Sequence, residues 1–201
     1  GFGNAVNTYR AVRTLERAGA DCIQLEDQVS PKRCGHFNGK EVIEASEMIG
    51  KIKAACDARR NEGTIIMART DAAAIHGFDA AVERAQQYAE AGADLLFVEA
   101  VTSAEHIAAL PQRLKTPQLM NMVIGGKTPI TSTEELAKMG YGIVLYANAA
   151  LQGAVAGMQR ALGVLKNEGH IQEDPNLVAP FAERQRLVNK PIWDALEKKY
   201  Q

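Results

Sequence analysis

Cys34 stands in a polar stretch, QVSPKRCGHFNGK at 28–40, with Lys32, Arg33 and His36 within two residues of it. Cations beside a thiol favour the thiolate, so this sulfur is a candidate acid, base or nucleophile; the other reading is a surface cysteine in a basic turn. The stretch is too long for an ordinary strand-to-helix connection, and Gly35 and Gly39 permit a loop that closes over a ligand. Four short apolar runs elsewhere end in Glu26-Asp27-Gln28, Arg69-Thr70-Asp71, Glu99 and Asn121, and a fifth ends in Ala147. Charged groups are seldom buried without partners. Either these ends converge on one cavity, or Glu26, Arg69 and Glu99 form a structural salt-bridge network.

The elements that must position these residues recur along the chain. LERAGADCIQLED at 15–27 resembles YAEAGADLLFVEA at 88–100, and each places a glycine seven positions before a glutamate, Gly19 to Glu26 and Gly92 to Glu99. A third copy, AKMGYGIVLYAN at 137–148, carries Ala147 in the glutamate's place. Each unit reads as an amphipathic helix ending at a left-handed glycine, then a short strand buried on both faces, the junction of a parallel sheet. TIIMART at 64–70 and QLMNMV at 118–123 supply two more strands. Helices are expected near 5–18, 40–60, 78–91, 103–113, 132–139, 149–168 and 179–199. Such alternation leaves an open doubly wound sheet or a closed (β/α) barrel. GFGN opens the chain without a strand before it and without GxGxxG, so a dinucleotide fold is weakly supported. A barrel of eight units takes about 250 residues, and five strands fit here. The expectation is one barrel domain over 1–201 lacking its first strands, with a C-terminal helical segment from about 179.

Composition narrows the function. With 46% hydrophobic residues and a formal charge of −1, the chain can bury a core and carries no global field for nucleic acid or an anionic membrane. No apolar run approaches the roughly 20 residues of a membrane-spanning helix, and the expected location is the cytoplasm. Cys22, Cys34 and Cys56 show no CxxC spacing, against a disulfide framework or zinc site; Cys22 and Cys56 read as structural. His76, His106 and His170 are isolated, and the six methionines read as packing. Trp193 and Tyr200 fall in an amphipathic segment suited to packing on the barrel or on a neighbouring subunit.

EDQVSPKRCGH, with ARTDA at 68–72, FVEA at 97–100 and NMVIGGKTP at 121–129, resembles the isocitrate lyase and phosphoenolpyruvate mutase superfamily along essentially the whole chain. The K-[KR]-C-G-H loop is similar to that of its carbon–carbon lyase branch, which includes methylisocitrate lyase, dimethylmalate lyase and related oxaloacetate hydrolases. The resemblance implies a (β/α)8 TIM barrel and a Mg²⁺-dependent (or Mn²⁺-dependent) lyase. Such an enzyme would cleave a 2-hydroxy di- or tricarboxylate to a 2-oxo acid such as pyruvate plus a carboxylate. It implies Cys34 as the catalytic acid or base, Glu26 as a holder of the metal through water, Arg69 and Glu99 as substrate contacts and Asn121 as a carboxylate-binding amide. Gly35 and His36 would contribute loop contacts, and Arg184 in FAERQRLV a substrate arginine. The superfamily's paired metal aspartates precede a GFGN, and this sequence begins at those four residues, so it is expected to start inside that motif.

Ala147 and Gln152 stand where a methylisocitrate lyase tends to carry proline and a basic residue, against a longer tricarboxylate. The resemblance further implies a homotetramer with exchanged C-terminal helices. Competing readings are an oxaloacetate hydrolase or decarboxylase of the same superfamily, or a non-catalytic barrel subunit.

Overall fold

The computed structural model describes residues 3–35, 37 and 39–201. They form two compact units, Gly1–Ala147 and Asn148–Gln201. In the first, Asn4 caps α1 (Ala5–Arg17) through a reciprocal box with Asn7, satisfying amides that a helix start leaves open. There follow β1 (Cys22–Glu26), α2 (Ala45–Ala58), β2 (Ile65–Thr70), α3 (Ala73–His76), α4 (Phe78–Glu90), β3 (Leu95–Val98), α5 (Ala104–Arg113), β4 (Leu119–Asn121), α6 (Thr133–Met139) and β5 (Ile143–Leu145). All the expected strands are present. The glycines predicted to turn the chain into β1, β3 and β5, Gly19, Gly92 and Gly140, have φ of +92°, +111° and +106°, a region costly for any other residue.

The strands are parallel and lie in chain order, β1-β2-β3 and β4-β5, joined by a bridge between Leu96 and Gln118. That order has no reversal, and α1, α2, α4 and α5 pack on one another in sequence. A doubly wound sheet would reverse its order and split its helices between two faces. One helix layer over sequentially ordered strands is barrel winding. The core divides accordingly. Ile23, Leu25, Ile66, Leu96, Val98 and Met120 pack against the helices, while Met67, Leu95, Phe97 and Leu119 form a separate cluster on the inner face.

Three boundaries depart from expectation, each for a physical reason. Helix α2 begins at 45 rather than 40 because residues 41–43 run beside the loop base: Val29 N donates to Glu41 O, Ile43 N donates to Asp27 O, and Gln28 bridges Val42. Helix α3 was not foreseen; Gly77 at φ +89° separates this single turn from α4. The final helix divides into α8 (Phe181–Leu187) and α9 (Lys190–Tyr200), with Asn189 left-handed at φ +56° between them. Pro191 forces the break, since it lacks the N–H needed to continue α8 and is tolerated in the first turn of α9.

Pro111 lies inside α5 and cannot bond back to the carbonyl of Ile107. Tyr141, buried at the entry to β5, donates its hydroxyl to that carbonyl at 2.7 Å. Gln118 donates to the Leu110 and Leu114 carbonyls at 3.3 and 3.1 Å. The α5 end is thus tied to both following strands. The second unit holds α7 (Ala149–Glu168), α8 and α9; Met158, Trp193 and Tyr200 are exposed there rather than packed within this chain.

Candidate active site

Alternation along β1 sends Glu26 to the inner face and Asp27 to the helix side. Asp27, fully buried, accepts from Thr70 Oγ1 at 2.7 Å, Asp71 N at 3.0 Å, Tyr88 Oη at 2.8 Å and Arg84 Nη1 at 3.4 Å. Burial, then the neighbouring carboxylate, pushes the Tyr88 phenol well above its ordinary range, so it stays a donor. Sequence reading placed Asp27 at a strand end but gave it no task; it anchors the end of β2 against α4.

Glu26 pairs in register with Arg69 on β2. The Arg69 guanidinium is the hub of the site. Its Nε donates to Asp71 Oδ2 at 2.9 Å and Nη2 to Asp71 Oδ1 at 3.1 Å; Nη1 lies 3.2 Å from Glu99 Oε2, and Nε 3.3 Å from Glu26 Oε2. It also lies over the Phe97 ring, 5.0 Å from the centroid, a favourable seat for a desolvated cation. Burial works against its charge, but the Asp71 hydrogen bonds and the Glu99, Asp71 and Glu26 carboxylates outweigh it and push its pKa up. Burial likewise pushes the Asp71 carboxyl up, yet Arg69, Gln28 and Lys40 together hold it below the ordinary aspartate value.

Glu99 follows β3 and is 2% exposed. Ala100 has φ +56°, a strained position for a residue with a Cβ. The turn it makes lets Ala100 N donate to Glu99 Oε1 at 2.9 Å. Asn121, ending β4, donates from Nδ2 to Glu99 Oε2 at 3.4 Å.

The cysteine loop closes over this cluster. Gly35 sits so near that a Cβ there would lie 2.3 Å from Glu99 Cγ and 2.8 Å from Arg69 Nη2, so only glycine fits. Cys34 is next to it and exposed, its carbonyl accepting from Phe37 N at 2.9 Å. Gln28 grips the loop through one backbone residue: Nε2 donates to Arg33 O at 2.9 Å, and Arg33 N donates to Oε1 at 2.8 Å. Lys32 lies 3.3 Å from Glu26.

Of the residues expected at the site, Glu26, Gly35, Arg69, Glu99 and Asn121 come together, with Cys34 beside Gly35. His36 lies outside the described residues. Arg184 belongs to the second unit, its guanidinium 5.5 Å from the centre of the Phe181 ring. Lys40 was missed as a site member, while Gln28 and Asp71 stood in the strand-end runs without being given a role.

Among the described residues, ion pairing leaves one acceptor unexplained: Asn121 Oδ1 is buried and accepts no hydrogen bond. Such an atom costs about 1–3 kcal/mol unless something donates to it, as a ligand would. Glu26 Oε2 is buried too, and meets its two cations, Arg69 Nε and Lys32 Nζ, at 3.3 Å. Among the described residues no three His, Cys, Asp or Glu side chains converge as a metal's own ligands. A cavity of about 500 Å³ beside β1 is lined by Gln24, Glu26, Gln28, Lys32, Glu47 and Lys51.

The model of the phosphoenolpyruvate phosphomutase family matches residues 1–165. The chain belongs to that family. It is 47% identical over 200 residues to 2,3-dimethylmalate lyase of Eubacterium barkeri, covering 100% of this chain and 69% of that protein. It is 46% identical over 169 residues to 2-methylisocitrate lyase of Aeropyrum pernix, covering 84% of this chain and 54% of that one. A crystal structure of 2,3-dimethylmalate lyase, a member of the PEP mutase/isocitrate lyase superfamily, superposes with a TM-score of 0.88 at 34% identity, covering 98% of this chain and 67% of that chain. The barrel winding of the first unit is therefore the superfamily fold, of which the described residues hold five strands with their helices.

Proposed function

We propose that the chain carries the catalytic face of a carbon–carbon lyase. Its substrate would be a 2-hydroxy dicarboxylate of the 2,3-dimethylmalate type or a tricarboxylate of the 2-methylisocitrate type. The observation that carries this reading is the Glu26–Arg69–Glu99–Asn121 cluster at consecutive strand ends, roofed by the glycine that follows Cys34.

In the cleavage, the hydroxyl proton leaves, the C–O bond becomes a carbonyl, and the C–C bond breaks with its electron pair on the carbon α to the departing carboxylate. The products are a 2-oxo acid such as pyruvate and an aci-carboxylate. Arg69 and the loop backbone donors spread the developing charge. Cys34 delivers a proton to the carbanion from its S–H, completing the carboxylate product, and takes one away in the reverse direction. Glu26, whose Oε2 lies 3.3 Å from both Arg69 Nε and Lys32 Nζ, would receive the hydroxyl proton or hold a water. Mg²⁺ or Mn²⁺, when bound, would favour the alkoxide; of the residues here Glu26 would meet it through water. His36 and Arg184 are proposed as carboxylate contacts.

Assembly and location complete the reading. On α7, Leu151, Val155, Met158, Leu162 and Leu165 form an exposed stripe at four- and three-residue spacing, the pattern of a helix that packs on another. With Ile192 and Trp193 on α9, it supports a homotetramer that exchanges C-terminal helices. No helix among the described residues is long and apolar enough to cross a membrane, and a cytoplasmic enzyme is proposed.

The test is 2-oxo acid release by the whole natural protein from 2-alkylmalates, methylisocitrate and oxaloacetate, with and without Mg²⁺. Metal-dependent release that Cys34→Ser lowers about 10²–10⁴-fold, the usual worth of a general acid, supports the lyase. Turnover of oxaloacetate alone would move the assignment to its hydrolysis, and turnover of none to a non-catalytic subunit.

A further inference from the structure

Lys40 has no part in the chemistry above, yet its ammonium is one of the more deeply placed charges in the first unit, with a side chain 3% exposed. Burying a lysine is costly unless the charge is met. Here it is met twice. Nζ donates to the Gly35 carbonyl and lies 3.4 Å from Asp71 Oδ1. The same Asp71 carboxylate receives two hydrogen bonds from Arg69. One acid therefore serves the substrate-side arginine and the cation that holds the loop, and the loop residue held is the glycine beside Cys34. The Gln28 grip on Arg33 fixes the loop's near side; Lys40 fixes its far side.

We propose that Lys40 is a positioning residue, a latch that locks the Gly35 backbone onto the Arg69–Asp71 pair and so sets where Cys34 presents its sulfur. It touches no reacting atom in this arrangement. Without it, Gly35 keeps its close contact with Glu99 but loses its only side-chain tie among the described contacts, and the Cys34–Gly35 backbone is released on that side. The effect on turnover rests on the lyase reading; the latch itself can be measured without substrate.

The first measurement uses the unaltered whole protein. Acylation by an amine-reactive ester, read lysine by lysine by mass spectrometry, should modify Lys40 at least about tenfold more slowly than Lys32, which is half exposed. Equal rates would overturn the latch. The second uses Lys40→Met, which keeps the stem and removes the charge and donors. Amide exchange in 29–39 should rise about tenfold while β2 and α4 keep their protection. Then kcat should fall about a hundredfold with KM little changed, as expected when a misplaced acid slows chemistry rather than binding. Unchanged exchange in the loop, or exchange that rises equally throughout, would make Lys40 merely structural and sink the proposal. If the latch measurements hold and no substrate is turned over by the unaltered protein, the lyase reading fails and the latch stands.

Discussion

Gly35, Asp71 and Ala100 each do something that residue type alone does not announce. Gly35 leaves room for nothing larger against Glu99. Gly35→Ala should therefore lift the loop and lower kcat/KM about a hundredfold while the melting temperature stays near that of the unaltered protein. Asp71 titrates in the fold below its ordinary value of about 3.9. Its stabilising contribution is complete above that value and is lost as pH falls through the lower folded value. Urea unfolding followed downward in pH should steepen below about pH 4, and Asp71→Asn should remove that part of the slope. Ala100 accepts a left-handed backbone so that its N–H can hold Glu99. Ala100→Gly should stabilise the protein by about 0.5–1 kcal/mol, read by denaturant midpoint, without loss of activity.

Elements were the most legible level of the sequence. A glycine seven residues before a glutamate fixed both the turn into a strand and the side chain at its far end, and Gly19–Glu26 and Gly92–Glu99 appear as read. Glu26, Arg69, Glu99 and Asn121 could be named as convergent because strand ends of a barrel face one cavity. Lys40 could not, and Gln28 could be given no role, because their partners depend on how a long polar loop folds back, which has no period to read. The tie between Tyr141 and Pro111 was invisible for a related reason: a freed carbonyl has no sequence signature. That tie predicts that Tyr141→Phe leaves the buried Ile107 carbonyl unpaired and costs about 1–3 kcal/mol in urea unfolding, with kcat and KM unaffected.

At the scale of the molecule, the first unit winds as a barrel arc and the second presents apolar side chains at helical spacing. The stripe on α7 predicts an assembly: Leu162→Glu, placing a charge amid Val155, Met158 and Leu165, should shift the whole protein to smaller species by light scattering. An unchanged mass would discard that face as an interface. Arc and site were readable together because the same parallel strands that wind the barrel end in the site residues. The proposed assembly shows in the sequence only as amphipathicity, since a stripe does not say what covers it.

The anchoring of Asp27 has a bearing on how such a chain can change over time. Glu26 faces the inner side because its neighbour is held on the other side by Thr70, Tyr88, Arg84 and the Asp71 amide. Inserting or deleting one residue in β1 would exchange the two carboxylates, burying Glu26 among helix side chains and stripping the cavity of its acid. Substitutions within the strands can be absorbed singly, but length changes cannot. Descendants of this fold are thus free to alter substrate preference mainly by growing or shrinking the loops beyond the strand ends.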